Sequence, residues 1–264
     1  MNRIRSGDAE IAYTVLGDGP PLVLLHPFPV NHEFWLPAAQ ALTSRYRIVI
    51  PDVRGHGESD LGDGPATMEK HADDLARVLD DADVGRAVFA GVSIGGYILF
   101  EFWRRYRGRV AGLALCCTRP QADTAEARAG RLKAAEDVLE QGTEPFIESM
   151  LPRVFSQRTL TTRPDLVEQT RGMMRKMSPA DIAGVQRGMA QRPGSVPTLQ
   201  TINIPTLLVM GEEDRFAPVS DGELMRSHIS GSRLAIIPHA GHFAVWEQPE
   251  AVGTLLRQFV DGCH

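Results

Sequence analysis

The sequence predicts an α/β fold, with a mostly parallel twisted sheet and helices on both of its faces. Three observations carry that expectation. First, six short apolar runs recur along the chain, at Leu22–Leu25, Arg47–Ile50, Ala87–Ala90, Gly112–Cys117, Thr206–Met210 and Leu234–Ile237. Such runs suit strands buried on both faces, the condition of a parallel sheet. Second, helical patterns lie between them, and alternating strands and helices fold with right-handed crossovers. Third, Gly91-Val92-Ser93-Ile94-Gly95 stands between an apolar run and a helix-like run beginning at Gly96.

The elements follow in order. Asn2–Arg5 and Glu10–Leu16, joined at Ser6-Gly7-Asp8, read as a hairpin. The run at Leu22–Leu25 is closed by His26-Pro27, and that at Arg47–Ile50 by Pro51-Asp52. Helices are expected over His32–Thr43, Met68–Asp81, Gly96–Tyr106, Val219–His228 and Pro249–Val260. From about Thr118 to Leu199 no strand-like run occurs. That segment is rich in Arg, Glu, Gln, Ala and Met, with prolines at 120, 145, 152, 164, 179, 193 and 197. Proline suits the first position of a helix. Short helices are therefore expected over Thr124–Glu140, Pro145–Val154, Pro164–Lys176 and Pro179–Ala190, each proline at or near a helix start. Residues 118–199 form a helical cap in this reading, inserted into a core domain of residues 1–117 and 200–264.

Composition narrows the function. Apolar residues make up 43% and charged residues 23% of the 264, ordinary values for a globular protein. The net charge of -5 argues against nucleic acid, whose phosphates need clustered Lys and Arg. Cys116, Cys117 and Cys263 make no disulfide framework and no metal-ligand spacing, which suits a reducing, cytoplasmic setting. The N-terminus lacks the apolar core of a signal peptide, and no apolar run reaches the roughly 18 residues of a membrane helix. No Gly-rich phosphate loop follows the first strand, so neither a nucleotide cofactor nor a metal is implied. A homo-oligomer is left open.

Glycine, serine and glycine between a strand and a helix force the serine onto a tight, strained turn, where a base can reach its hydroxyl. Asp214, in Gly211-Glu212-Glu213-Asp214, follows the Thr206–Met210 strand; His242, in His239-Ala240-Gly241-His242, follows the Leu234–Ile237 strand. Ser93, Asp214 and His242 thus occupy loops at C-terminal strand ends, the edge where ligands bind in such sheets. Imidazole can take the serine proton and return it to a leaving group, while a carboxylate fixes the tautomer. Glu212 and Glu213 compete for the acid's role and His239 for the base's. An acyl-transfer site also needs oxyanion donors. Ile94 N–H is one. Phe28 N–H is the early choice in the loop after Leu25, because Pro27 and Pro29 have no N–H.

These blocks resemble the α/β-hydrolases, and within them the group of 3-oxoadipate enol-lactonases, cofactor-free haloperoxidase-type esterases and meta-cleavage-product hydrolases. The resemblance rests on Leu25-His26-Pro27-Phe28-Pro29, on Pro51-Asp52-Val53-Arg54-Gly55-His56-Gly57-Glu58-Ser59-Asp60, on Gly91–Gly96, and on Asp214 with Gly241-His242-Phe243. It implies Ser93 as nucleophile, Asp214 as acid and His242 as base, with Arg54-Gly55-His56-Gly57 a structural turn. The family usually has Gly where this chain has Pro27. Some relatives carry the acid after the strand ending at Cys117, where this chain has Thr118, with Asp123 further on.

The expected function is a serine hydrolase of small, largely apolar carboxylic esters or lactones, acting through an acyl-enzyme. Two alternatives share the motifs: a carbon–carbon hydrolase of the meta-cleavage type, and a ligand-binding or receptor module with slow turnover. Phe28, Phe243, Val245 and Met150 are the candidate pocket residues. His26, His56 and Asp52 are expected to be structural.

Overall fold

The computed structural model describes residues 1–263. An eight-stranded sheet runs in the order β1-β2-β4-β3-β5-β6-β7-β8. Its strands are β1 (Asn2–Ser6), β2 (Ala9–Leu16), β3 (Pro21–Leu25), β4 (Arg47–Pro51), β5 (Ala87–Val92), β6 (Val110–Cys116), β7 (Thr206–Gly211) and β8 (Arg233–Ile237). β1 pairs antiparallel with β2, and β2 antiparallel with β4. All other pairings are parallel, as the continuous apolar runs require.

Both faces of the sheet are covered. Val23, Leu25, Phe89 and Leu208 enter one buried cluster, while Leu22, Leu24, Val88 and Val209 enter the other. The two-residue period of a strand divides each run between two cores. The helices α1 (Leu36–Gln40), α2 (Met68–Asp81), α3 (Ile94–Tyr106), α10 (Val219–His228), α11 (Ala244–Glu247) and α12 (Pro249–Asp261) belong to this sheet layer. Between β6 and β7 come α4 (Ala125–Gln141), α5 (Glu144–Val154), α6 (Gln157–Thr162), α7 (Pro164–Met174), α8 (Pro179–Met189) and α9 (Val196–Leu199). No described helix is long and apolar enough to cross a membrane.

Three details depart from the sequence reading. The helix expected over His32–Thr43 is a 3-10 turn, His32–Trp35, followed by the short α1. Asn31 caps the turn through Glu33 N–H, and Pro37 restarts the helix at its second position. Pro152 lies inside α5 rather than at a helix start. It stands in the last turn, where a missing N–H costs a single bond. The four-residue α9 and α11 and the six-residue α6 are too short to leave a periodic trace.

Candidate active site

Ser93 occupies the turn between β5 and α3 with φ 55° and ψ -111°, a region a side chain rarely enters. The neighbouring glycines permit that turn. A Cβ on Gly91 would stand 2.6 Å from the backbone of Gly95, and one on Gly95 would stand 2.7 Å from the carbonyl oxygen of Leu25. The turn is held from three sides. Ser93 N–H donates to Cys116 O at 3.0 Å, and Ser93 O accepts from Gly96 N–H at 2.9 Å. The Thr118 hydroxyl donates to the same oxygen at 2.8 Å.

β7 and β8 are sheet neighbours, so the loops that follow them meet. His242 Nδ1 lies 3.0 and 2.9 Å from the two oxygens of the Asp214 carboxylate. Asp214 Oδ1 also accepts from the N–H groups of Phe216, at 2.8 Å, and Ala217, at 3.0 Å. Asp214 and His242 are both buried. With Nδ1 engaged, Nε2 is the nitrogen left for chemistry. The competitors point elsewhere. His239 is exposed and its N–H binds Glu212, while Glu213 accepts from Gln157 N–H at 2.9 Å.

Ser93 and His242 line one cavity of about 460 Å³, with no hydrogen bond between them in this arrangement. Phe28 and Met150 line it too. Phe243 and Val245 do not, which corrects the sequence reading. Both are fully buried; Phe243 packs edge-on against Phe34 and Phe155, and helix α11 turns Val245 into the same core. The sequence reading missed Tyr97, Phe146 and Phe216, as well as Arg119, Arg131, Arg153 and Arg215, all around the cavity. Tyr97 had a signal: it stands four residues after Ser93 on α3, hence on the same helical face.

The Phe28 N–H has no backbone acceptor among the described residues. Ile94 opens α3, where helix N–H groups have no intrahelical partner. The Phe28 loop is fixed from below by His26. Its Nδ1–H donates to Pro27 O at 3.0 Å, and its Nε2 accepts from Val53 N–H at 3.0 Å. The His56 Nδ1–H donates to Arg54 O at 3.0 Å, and the His56 ring packs edge-on against both His26 and Phe28. Burial, reinforced by repulsion from His26, pulls His56 down to about 3. Burial lowers His26 as well. Asp52 accepts from His32 N–H at 2.7 Å and from Glu58 N–H at 2.9 Å. These residues build the floor of the site and do not reach the cavity.

One further clamp joins the loop carrying His242 to the helices between β6 and β7. The buried Glu247 carboxylate accepts from Gly241 N–H at 2.6 Å, and from Ser156 N–H and hydroxyl at 3.0 and 2.7 Å.

A strained serine, an imidazole on a buried carboxylate and two free N–H groups at one sheet edge define a class of hydrolytic site. The family model described as the alpha/beta hydrolase fold matches residues 20–249, and the chain belongs to that family. It is similar to a thermophilic esterase from Thermogutta terrifontis, solved with malate bound. Identity is 36%, both chains are covered completely, and the TM-score is 0.96. It is also similar to 3-oxoadipate enol-lactonase 2 of Acinetobacter baylyi, at 27% identity over 92% of this chain and 90% of that one. The enol-lactonase from Burkholderia xenovorans LB400 shares the fold, with a TM-score of 0.92 at 24% identity, covering 98% of this chain and all of that one.

Proposed function

We propose that the protein is a serine hydrolase of carboxylic esters or lactones, with Ser93, His242 and Asp214 as its triad. The observation that carries this is the cavity shared by a strained Ser93 and a His242 whose Nδ1 is engaged by buried Asp214. The esterase and enol-lactonase relatives support ester and lactone carbonyls as the target.

Rotation of the Ser93 hydroxyl toward His242 Nε2 starts the reaction. The oxygen bonds to the carbonyl carbon as its proton passes to Nε2. The carbonyl electrons move onto oxygen, which the N–H groups of Phe28 and Ile94 receive. Collapse of this adduct breaks the carbon–oxygen bond to the leaving group, which takes the proton from the imidazolium. Water, deprotonated by His242, then attacks the acyl-enzyme and releases the acid and Ser93. Asp214 holds the imidazole in the productive tautomer throughout. Residues 118–199 act as a cap over this edge, since Met150 on α5 and Phe146 beside it enclose the cavity.

Ser93→Ala should lower kcat on p-nitrophenyl acetate by at least about 10⁴-fold, with an unchanged far-UV circular dichroism spectrum. Turnover within tenfold of the parent would refute the assignment.

A further inference from the structure

The cavity's charge runs against that of the chain. The protein carries a net charge of -5, yet four guanidinium groups line this one opening, from Arg119, Arg131, Arg153 and Arg215. Among the described residues, the only carboxylate in the lining is Asp123. It is already shared among three arginines, Arg119 at 3.3 Å, Arg131 at 2.7 Å and Arg192 at 2.8 Å. Burial alone would raise the Asp123 carboxyl, but Arg131 and Arg192 outweigh it and hold it below the ordinary range. Asp221 lies outside the lining but close enough for the Arg119 charge to act on it, and it accepts from Gln121 at 2.7 Å.

One carboxylate cannot neutralise this set, and the geometry suggests why it is there. Asp123 and Gln186 brace the Arg131 side chain, at 2.7 and 3.1 Å, so that guanidinium is held before any ligand arrives. Arg119 has a buried Nε–H with no acceptor among the described residues. Leaving a buried donor unpaired costs free energy unless a ligand takes it. Arg153 and Arg215 are exposed, and Arg153 lies 4.5 Å over the Phe216 ring, which is also in the lining. Cations braced at the inner wall and exposed at the rim make an electrostatic funnel for an anion.

We infer that the substrate carries a carboxylate as well as the scissile ester or lactone. Arg119 and Arg131 receive that carboxylate, while Arg153 and Arg215 steer it to the opening. This rests on the hydrolase reading above and replaces the largely apolar substrate expected from sequence. Guanidinium groups pair with carboxylates through two parallel N–H bonds, which would fix the scissile carbonyl relative to Ser93.

Two esters of equal chain length test it, monomethyl glutarate and methyl pentanoate, followed by proton NMR. The anionic ester should have a kcat/KM at least about tenfold higher in the parent protein, and the ratio should fall at least about tenfold in Arg131→Gln. A parent ratio near one, with the neutral ester still hydrolysed, overturns the carboxylate subsite and leaves the hydrolase reading standing. A ratio unchanged in Arg131→Gln overturns the assigned anchor. Turnover of neither ester counts against the hydrolase reading alone. Calorimetry on the parent protein tests the subsite without turnover or substitution, since glutarate should bind and the uncharged glutaramide should not. Equal or absent binding of the two would overturn the proposal.

Discussion

Thr118 donates its hydroxyl hydrogen bond to the carbonyl oxygen of Ser93 at 2.8 Å. That oxygen belongs to the most strained residue of the site, and Thr118 comes from the end of the neighbouring strand β6. The bond ties the serine turn to a different strand from the one it grew on. Thr118→Val keeps the shape and removes the donor. It should cost about 1 kcal/mol of stability. It should also lower kcat with little change in KM, because Ser93 is displaced rather than the pocket. Denaturant melts and steady-state kinetics on one ester check both, and an unchanged kcat would remove Thr118 from the account.

Asp214 should matter through orientation. Asp214→Asn keeps an oxygen for the N–H groups of Phe216 and Ala217, yet offers the imidazole an amide. A loss in kcat on the order of a thousandfold or more is expected, with substrate binding retained. Glu213→Gln, measured beside it, should stay near the parent, since that side chain only receives Gln157 N–H.

Glu247 should behave as a joint between the loop carrying His242 and the helices between β6 and β7. Glu247→Gln places an amide NH₂ against donors, and each lost bond to a charged acceptor is worth roughly 1.5–3 kcal/mol. The melting temperature should drop, and His242 chemistry should slow with it. A variant as stable as the parent would show that this clamp does not act as described.

Acid should destabilise the fold through its buried histidines before it protonates most carboxylates. His56 is held at about 3 when folded, against an ordinary value of 6.5. Below 6.5 the unfolded chain binds a proton that the folded protein refuses, so stability falls as pH drops through that window. At pH 5 the linkage for one such histidine is about 2 kcal/mol. His26 and His71 are lowered by burial in the same sense. Guanidinium melts at pH 7.5 and pH 5 should show the loss, and His56→Gln should show a smaller one. An equal pH dependence in parent and variant would contradict this.

Much of this site was legible because its chemistry clusters at strand ends. Each apolar run became a strand, and the loops just beyond Leu25, Val92, Gly211 and Ile237 carry Phe28, Ser93, Asp214 and His242. The pocket walls were not legible. Phe243 and Val245 neighbour His242 in sequence, yet the first turn of α11 carries them into the core. The cavity arginines come from four separate stretches around 119, 131, 153 and 215, which no local pattern joins. Glu247 gave no signal either. Its role depends on Ser156, 91 positions away.

The central claim is that Ser93 is the nucleophile and that His242 activates it. Labelling with a fluorophosphonate probe, followed by peptide mapping by mass spectrometry, tests it most directly. The account predicts one adduct, on Ser93, lost in His242→Ala while the protein stays folded. A folded protein that takes up no label, or one labelled at another residue, would contradict it.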